Sequence, residues 1–117
     1  MLAAIVSYYG DDGDAAEELE ALGDGYMTRS LKYLQKIVTG AIDYRRLRQY
    51  SNFRGVPIFK AQSDDRTMIF AVEDDGDDGN KVTILCAGRY GDEADALETT
   101  NSRAANWFTI VRSERSR

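Results

Sequence analysis

Residues 56–89, VPIFKAQSDDRTMIFAVEDDGDDGNKVTILCAGR, decide the fold. Three runs within them, Val56–Ala61, Thr67–Glu73 and Lys81–Ala87, are rich in Val, Ile, Phe, Thr and Leu. These side chains fit a pleated, half-buried surface. Turn formers separate the runs, first Ser63-Asp64-Asp65 and then residues 74–80, DDGDDGN. Two short connections between three such runs predict an antiparallel meander. Strict alternation sets Met68, Phe70 and Val72 against Ile69, Ala71 and Glu73. It likewise sets Val82, Ile84 and Cys86 against Thr83, Leu85 and Ala87. Both faces are largely apolar, so one side is expected under a covering layer and the other as a shallower surface. Lys60, Arg66 and Arg89 fall at the ends of the runs, where cations around one small sheet suit an anion.

Working outward, Leu2–Tyr9 reads as a first strand, broken by Gly10-Asp11-Asp12-Gly13. Asp14 with Glu17 forms a capping box for a short helix, Ala15 to Leu22. A second helix, Met27 to Thr39, carries Leu31, Leu34, Ile37 and Val38 on one stripe and ends at Gly40. The two helices read as a hairpin packed on the sheet. Residues 41–55, AIDYRRLRQYSNFRG, interleave bases with aromatics. Such a segment can grip phosphates and stack bases, which makes Arg45, Arg46, Arg48 and Arg54 candidate RNA-binding residues. The alternative is a solvated helix and loop with the aromatics in the core. Residues 103–117 suit a helix by Ala104-Ala105 and a strand by Thr109, Ile110 and Val111. The fold class is therefore α+β in a single domain over residues 1–117. Its expected order is an N-terminal strand, a helix hairpin, a three-stranded antiparallel meander and a short C-terminal element.

The net charge of −5 masks an uneven distribution. Residues 29–66 carry nine bases against three acids, whereas residues 1–28 carry seven acids and no base. The basic block supplies a local field of the kind that meets a phosphate chain. Eleven of the fifteen bases are Arg, the residue suited to bidentate phosphate contacts. An acidic, Lys-poor surface equally fits a salty interior. Residues 1–6 are apolar but too short to span a bilayer and lack a basic flank, so a cytoplasmic protein without membrane contact is expected.

The chain has no histidine and one cysteine, which removes Ser-His-Asp triads, His-based metal sites and cysteine clusters. No P-loop motif is present. An EF-hand loop beginning at Asp74 would need a chelator at Gly76 and a Glu at Leu85, so no metal and no cofactor is expected. Chemistry by Arg, Lys and Tyr remains, and it suits RNA cleavage. There the 2′-hydroxyl is the nucleophile, and the protein orients the strand and stabilises charge on phosphorus. In that scheme Arg66 and Arg89 hold the phosphate, and Lys60 acts as base if nearby cations depress its pKa. Tyr90 donates to the leaving oxygen or stacks a base, and Asp92 and Glu93 are alternative acceptors. The competing expectation is that Arg66 and Arg89 simply pair with Asp64, Asp65 or Glu93.

From Leu47 to Ala96 the chain resembles the RelE/ParE superfamily of bacterial and archaeal toxins. The segment FKAQSDDRTMIFAVEDDGDDGNKVTILCAGRYGDEADA is similar to that family's Lys-ended strand, turn, Arg-led strand, hairpin and apolar strand ending in Gly and a base. The resemblance implies a ribosome-associated, metal-independent mRNA endonuclease that is the toxin of a toxin–antitoxin pair. Lys60, Arg66 and Arg89 then fall on cationic active-site positions and Tyr90 near a late His or Tyr. Its implied partners are a cognate antitoxin and mRNA on the ribosome. The chain departs from the family in its acidic net charge and in lacking a clear C-terminal catalytic Tyr. Two alternatives share the fold: a ParE-like inhibitor of DNA gyrase, and a non-catalytic protein-binding module.

Overall fold

The computed structural model describes residues 6–10, 14–74, 79–89 and 97–106. The apolar runs form a five-stranded mixed sheet. Its strands are β1 (Val6–Tyr8), β2 (Ser51–Phe53), β3 (Val56–Ser63), β4 (Arg66–Asp74) and β5 (Asn80–Arg89), in the spatial order β1-β5-β4-β3-β2. β2, β3, β4 and β5 pair antiparallel in sequence order, and β1 joins β5 in parallel. The α+β class holds. The sheet exceeds the expected three-stranded meander, because β2 arises inside the basic-aromatic segment. Its cause is local: Arg54 and Gly55 both take positive φ (52° and 90°), as a tight two-residue hairpin turn requires. Asn52 Oδ1 accepts from the Gly55 amide at 2.9 Å and fixes that turn.

Two helices, α1 (Asp14–Ala21) and α2 (Asp24–Val38), cover one face. α1 buries Ala15 and Leu19, one turn apart, and carries Asp14 and Glu17 in its first turn, where the dipole favours acids. α2 starts three residues earlier than its apolar stripe suggests, with Gly23 as N-cap and Gly25 inside the helix. Its buried line is Tyr26, Ser30, Leu34 and Ile37, with Leu31 and Val38 only half-buried. These helices pack on Phe59, Met68, Phe70, Val72, Val82, Ile84 and Ala87. Phe70 sits in the middle of this core, with its ring 5.7 Å from Phe59 and 6.3 Å from Tyr33.

The opposite face is not the shallow surface expected. A third helix, α3 (residues 97–106), lies over it. Ala104 packs with Ile58, Ile69, Ala71, Leu85 and Cys86. Cys86 is fully buried, its Sγ 3.8 Å from Thr100 Oγ1. The helical alternative thus holds for residues 103–106. Thr109, Ile110 and Val111 lie outside the described residues. No helix among the described residues is long and apolar enough to cross a membrane.

The alternation read along β5 does not survive intact. Ile69 faces Cys86 while Phe70 faces Ile84, so Leu85 is an extra residue, a β-bulge. The bulge lets Leu85 and Cys86, adjacent in sequence, both serve the α3 face. From there the phase is reversed, and Ala87 turns to the helix hairpin.

Gly79 locks β5 against α2. Its φ is +94°, and a Cβ there would stand 2.6 Å from the Val38 carbonyl oxygen. Beside it, Asn80 Nδ2 donates to the Ile37 carbonyl at 2.9 Å, a second bond at the helix end next to that from the Gly40 amide at 3.2 Å. Gly79→Ala is expected to lower stability by about 2 kcal/mol, from the left-handed backbone and the backbone contact together. Urea denaturation would read it as a lower midpoint at unchanged slope.

Candidate functional site

Arg66 opens β4 and Arg89 closes β5, and the two are direct cross-strand partners. Directly opposed residues point to the same face, so both guanidinium groups stand on the helix-hairpin side. The bulge at Leu85 makes this so. With strict alternation, Arg89 would share the face of Thr83 and point away. Like charges in such a pair repel, and the sheet gains nothing from them. Each Arg has its own local support. Arg89 Nη1 reaches both oxygens of Asp65, at 2.8 and 2.9 Å, with both side chains more than half exposed. The Arg66 guanidinium carbon lies 5.8 Å from the centroid of the Tyr26 ring. Its Nε is buried and has no hydrogen-bond partner among the described residues.

α2 completes this end of the sheet. Tyr26 is 4% exposed, and its hydroxyl donates to the Ala61 carbonyl at 3.3 Å. Burial pushes the Tyr26 phenol above its ordinary pKa, outweighing the Ser30 hydrogen bond and the positive charges of Arg66 and Arg29 that pull it down. One turn on from Tyr26, Ser30 and the exposed Arg29 face the same region, where Tyr26, Arg29, Ser30 and Tyr33 line a cleft against the end of β3. Tyr26, Arg29 and Ser30 were not among the candidates drawn from sequence. Their one signal was the early start of α2, hidden by the glycines at 23 and 25.

Asp65 holds Arg89 as an internal stand-in for an anion. The hydrogen bond from Arg89 holds the Asp65 carboxyl below its usual pKa, against a smaller opposing effect of desolvation. A lowered folded-state pKa means that the pair is intact above the ordinary carboxylate range. It is lost only as pH falls through the depressed value. Removing this competitor frees Arg89. Asp65→Asn is therefore expected to raise affinity for a small phosphate anion such as pyrophosphate by roughly two- to fivefold at neutral pH, the scale of an exposed ion pair. Calorimetric titration would check it.

The other sequence candidates go elsewhere. Lys60 pairs with Ile69 in the register of β3 and β4, so it lies on the opposite face from Arg66 and Arg89. Its Nζ sits 5.0 Å from the Tyr50 ring centroid. It is not gathered with the cations on which its role as base depended. Arg45 and Arg46 flank Asp43 in a 3-10 turn (Tyr44–Arg46), at 2.9 and 3.9 Å, and are 75% and 89% exposed. The hydrogen bond from Arg45 keeps the Asp43 carboxyl below its usual range. This turn neighbours Asp74 and Asn80, at the far end of β4. At 3.3 Å per residue, that is about 26 Å from Arg66. Arg54 lies in the β2–β3 turn at the same far end, 5.7 Å from the Phe53 ring, and Arg48 is exposed. The aromatics of this segment serve the core: Tyr44 meets Phe59 edge-on at 6.2 Å, and Tyr50 and Phe53 pack against the α3-side cluster that includes Ile58 and Ile69. Tyr90, Asp92 and Glu93 lie outside the described residues.

Chemically, the Arg66–Arg89 end can bind an anion bidentately beside an aromatic surface. The carboxylate nearest to it among the described residues, Asp65, is held by Arg89. No family model, curated protein or solved structure matches this chain.

Proposed function

We propose that the chain is the toxin of a toxin–antitoxin pair, an RNA-directed protein with a RelE-like fold. It holds an mRNA phosphate at the Arg66–Arg89 pair and cleaves on the ribosome through the RNA's own 2′-hydroxyl. One observation carries the proposal. Two arginines oppose each other across β4 and β5, and Arg66 has a buried Nε without a partner among the described residues. A like-charged pair in this register costs stability unless an anion offsets it; Asp65 does so at Arg89, which leaves Arg66 for an incoming phosphate. In this reading Arg66 and Arg89 neutralise charge on phosphorus, and Arg29 adds field at the rim. Lys60 has no part in the reaction. Arg45, Arg46 and Arg54 steer the RNA or the ribosome from the far end of the sheet, and the exposed Arg48 adds to their field.

A second reading is favoured by the separation of the cations. Lys60 on one face and two Arg groups about 26 Å apart suit a broad docking surface better than one active centre. A ParE-like gyrase inhibitor or a non-catalytic module of the same fold would use them so. Induced expression of the wild type beside Arg66→Ala/Arg89→Ala, with mRNA ends mapped, separates the cases. Growth arrest with new mRNA ends in the wild type alone supports the nuclease. Arrest with intact mRNA and inhibited supercoiling supports gyrase. Harmless expression of folded wild type leaves only the binding module.

A further inference from the structure

The cleft beside the arginine pair has a composition that phosphate binding does not use. It measures about 150 Å³ and is bordered by Tyr26, Arg29, Ser30 and Tyr33 on α2 and by Ala61 and Ser63 on β3. That volume is well below the roughly 300–1,000 Å³ of a site for a drug-sized ligand, so it admits a fragment, not a whole nucleotide. Its walls carry the rings of Tyr26 and Tyr33, and its polar residues are Ser30, Ser63, Gln62 and, at the rim, Arg29. Ser63 is the cross-strand partner of Arg66, so the mouth of the cleft adjoins the arginine pair directly. Tyr33 is half-buried, held edge-on by Phe70, so its ring is fixed before any ligand arrives.

We infer that this cleft takes one unstacked base of a single-stranded RNA, the base attached to the phosphate held by Arg66 and Arg89. The inference rests on the phosphate reading of that pair and names the subsite it would need. A fixed aromatic wall stacks any base, and the exposed Ser63 hydroxyl supplies an adaptable hydrogen bond at its edge. Arg29 at the rim screens the next phosphate along the strand. Duplex RNA cannot enter, because its bases are paired and stacked; the site thus selects single strands.

The test uses the full chain and a short 2′-O-methyl RNA, which cannot be cleaved, alongside the same oligomer with one abasic position. Ala61→Leu fills the cleft from its wall. Ser63→Trp, at an exposed position, blocks its mouth and serves if Ala61→Leu fails to fold. The expected result is a loss of RNA affinity of about 5- to 100-fold in either variant, the scale of one stacked base. The abasic oligomer, placed with its gap at the clamped phosphate, is expected to bind wild type and variants alike. If both folded variants bind intact RNA as wild type does, while Arg66→Ala/Arg89→Ala does not, the base cleft is wrong and the phosphate clamp stands. If Arg66→Ala/Arg89→Ala also binds as wild type, both ideas are overturned.

Discussion

Arg66→Ala is expected to reduce mRNA cleavage in a translating extract by about 10²–10³-fold, the scale of removing one preorganised donor to a developing anion. The fold should survive, since Arg66 makes no ion pair among the described residues and its neighbours Thr67 and Met68 fill the core without it. Circular dichroism and the thermal midpoint would check that. Lys60→Ala is the matched control. It lies on the other face over Tyr50, so cleavage should fall by less than about threefold. Equal losses in the two variants would return Lys60 to the active centre and contradict the placement argued above. Arg89→Ala should behave like Arg66→Ala, with a smaller effect, because Asp65 already occupies part of its hydrogen-bonding capacity.

The largest effect on stability outside the aromatic core is expected at Arg103. β1 covers β5 only as far as Ile84, and the edge beyond would present open backbone groups. Two side chains close it. Glu18 of α1 accepts from the Ala87 amide at 3.2 Å. Arg103 of α3 donates to the Leu85 carbonyl at 2.8 Å and grips both oxygens of Glu18 at 2.6 and 2.8 Å. The Arg103 side chain is 19% exposed and that of Glu18 32%, so water screens this pair only in part. The Arg103 guanidinium also lies 5.3 Å from the Tyr9 ring centroid, and Asn106 Nδ2 donates to the Tyr9 hydroxyl at 2.7 Å. The clasp thereby ties both covering layers to one sheet edge. Arg103→Ala leaves a half-buried carboxylate and a backbone carbonyl without their donor, costing about 2–3 kcal/mol. Glu18→Ala/Arg103→Ala should cost less than the two single changes summed, with a coupling of about 1–2 kcal/mol. Strict additivity in urea denaturation would show that the pair is incidental.

Much of this was legible along the chain, and the failures have physical causes. The strands β3, β4 and β5 were readable because their β-branched runs are long and their turns are marked by Asp and Gly. β2 was hidden: three residues, SNF, carry no periodicity, and the hairpin turn beside them depends on Arg54 adopting a positive φ. The bulge at Leu85 was invisible for a related reason. An uninterrupted apolar run gives no phase, so nothing in VTILCA says where the alternation slips. That one slip decides which face Arg89 joins. Charge at strand ends drew attention to Arg66, Arg89 and Lys60 equally. Only pairing register separates them, because a position one residue along a strand is a different face of the sheet. Tyr26 escaped notice because glycines on both sides of Asp24 disguise the start of α2.

Salt dependence of RNA binding tests the phosphate clamp most directly. Affinity of a non-cleavable single-stranded RNA would be measured from low to physiological salt for wild type and Arg66→Ala/Arg89→Ala. The phosphate reading predicts weaker binding in the variant and a log–log salt slope shallower by about 0.7 to 1. An unchanged slope, in a variant that remains folded, would mean that no phosphate is held between Arg66 and Arg89.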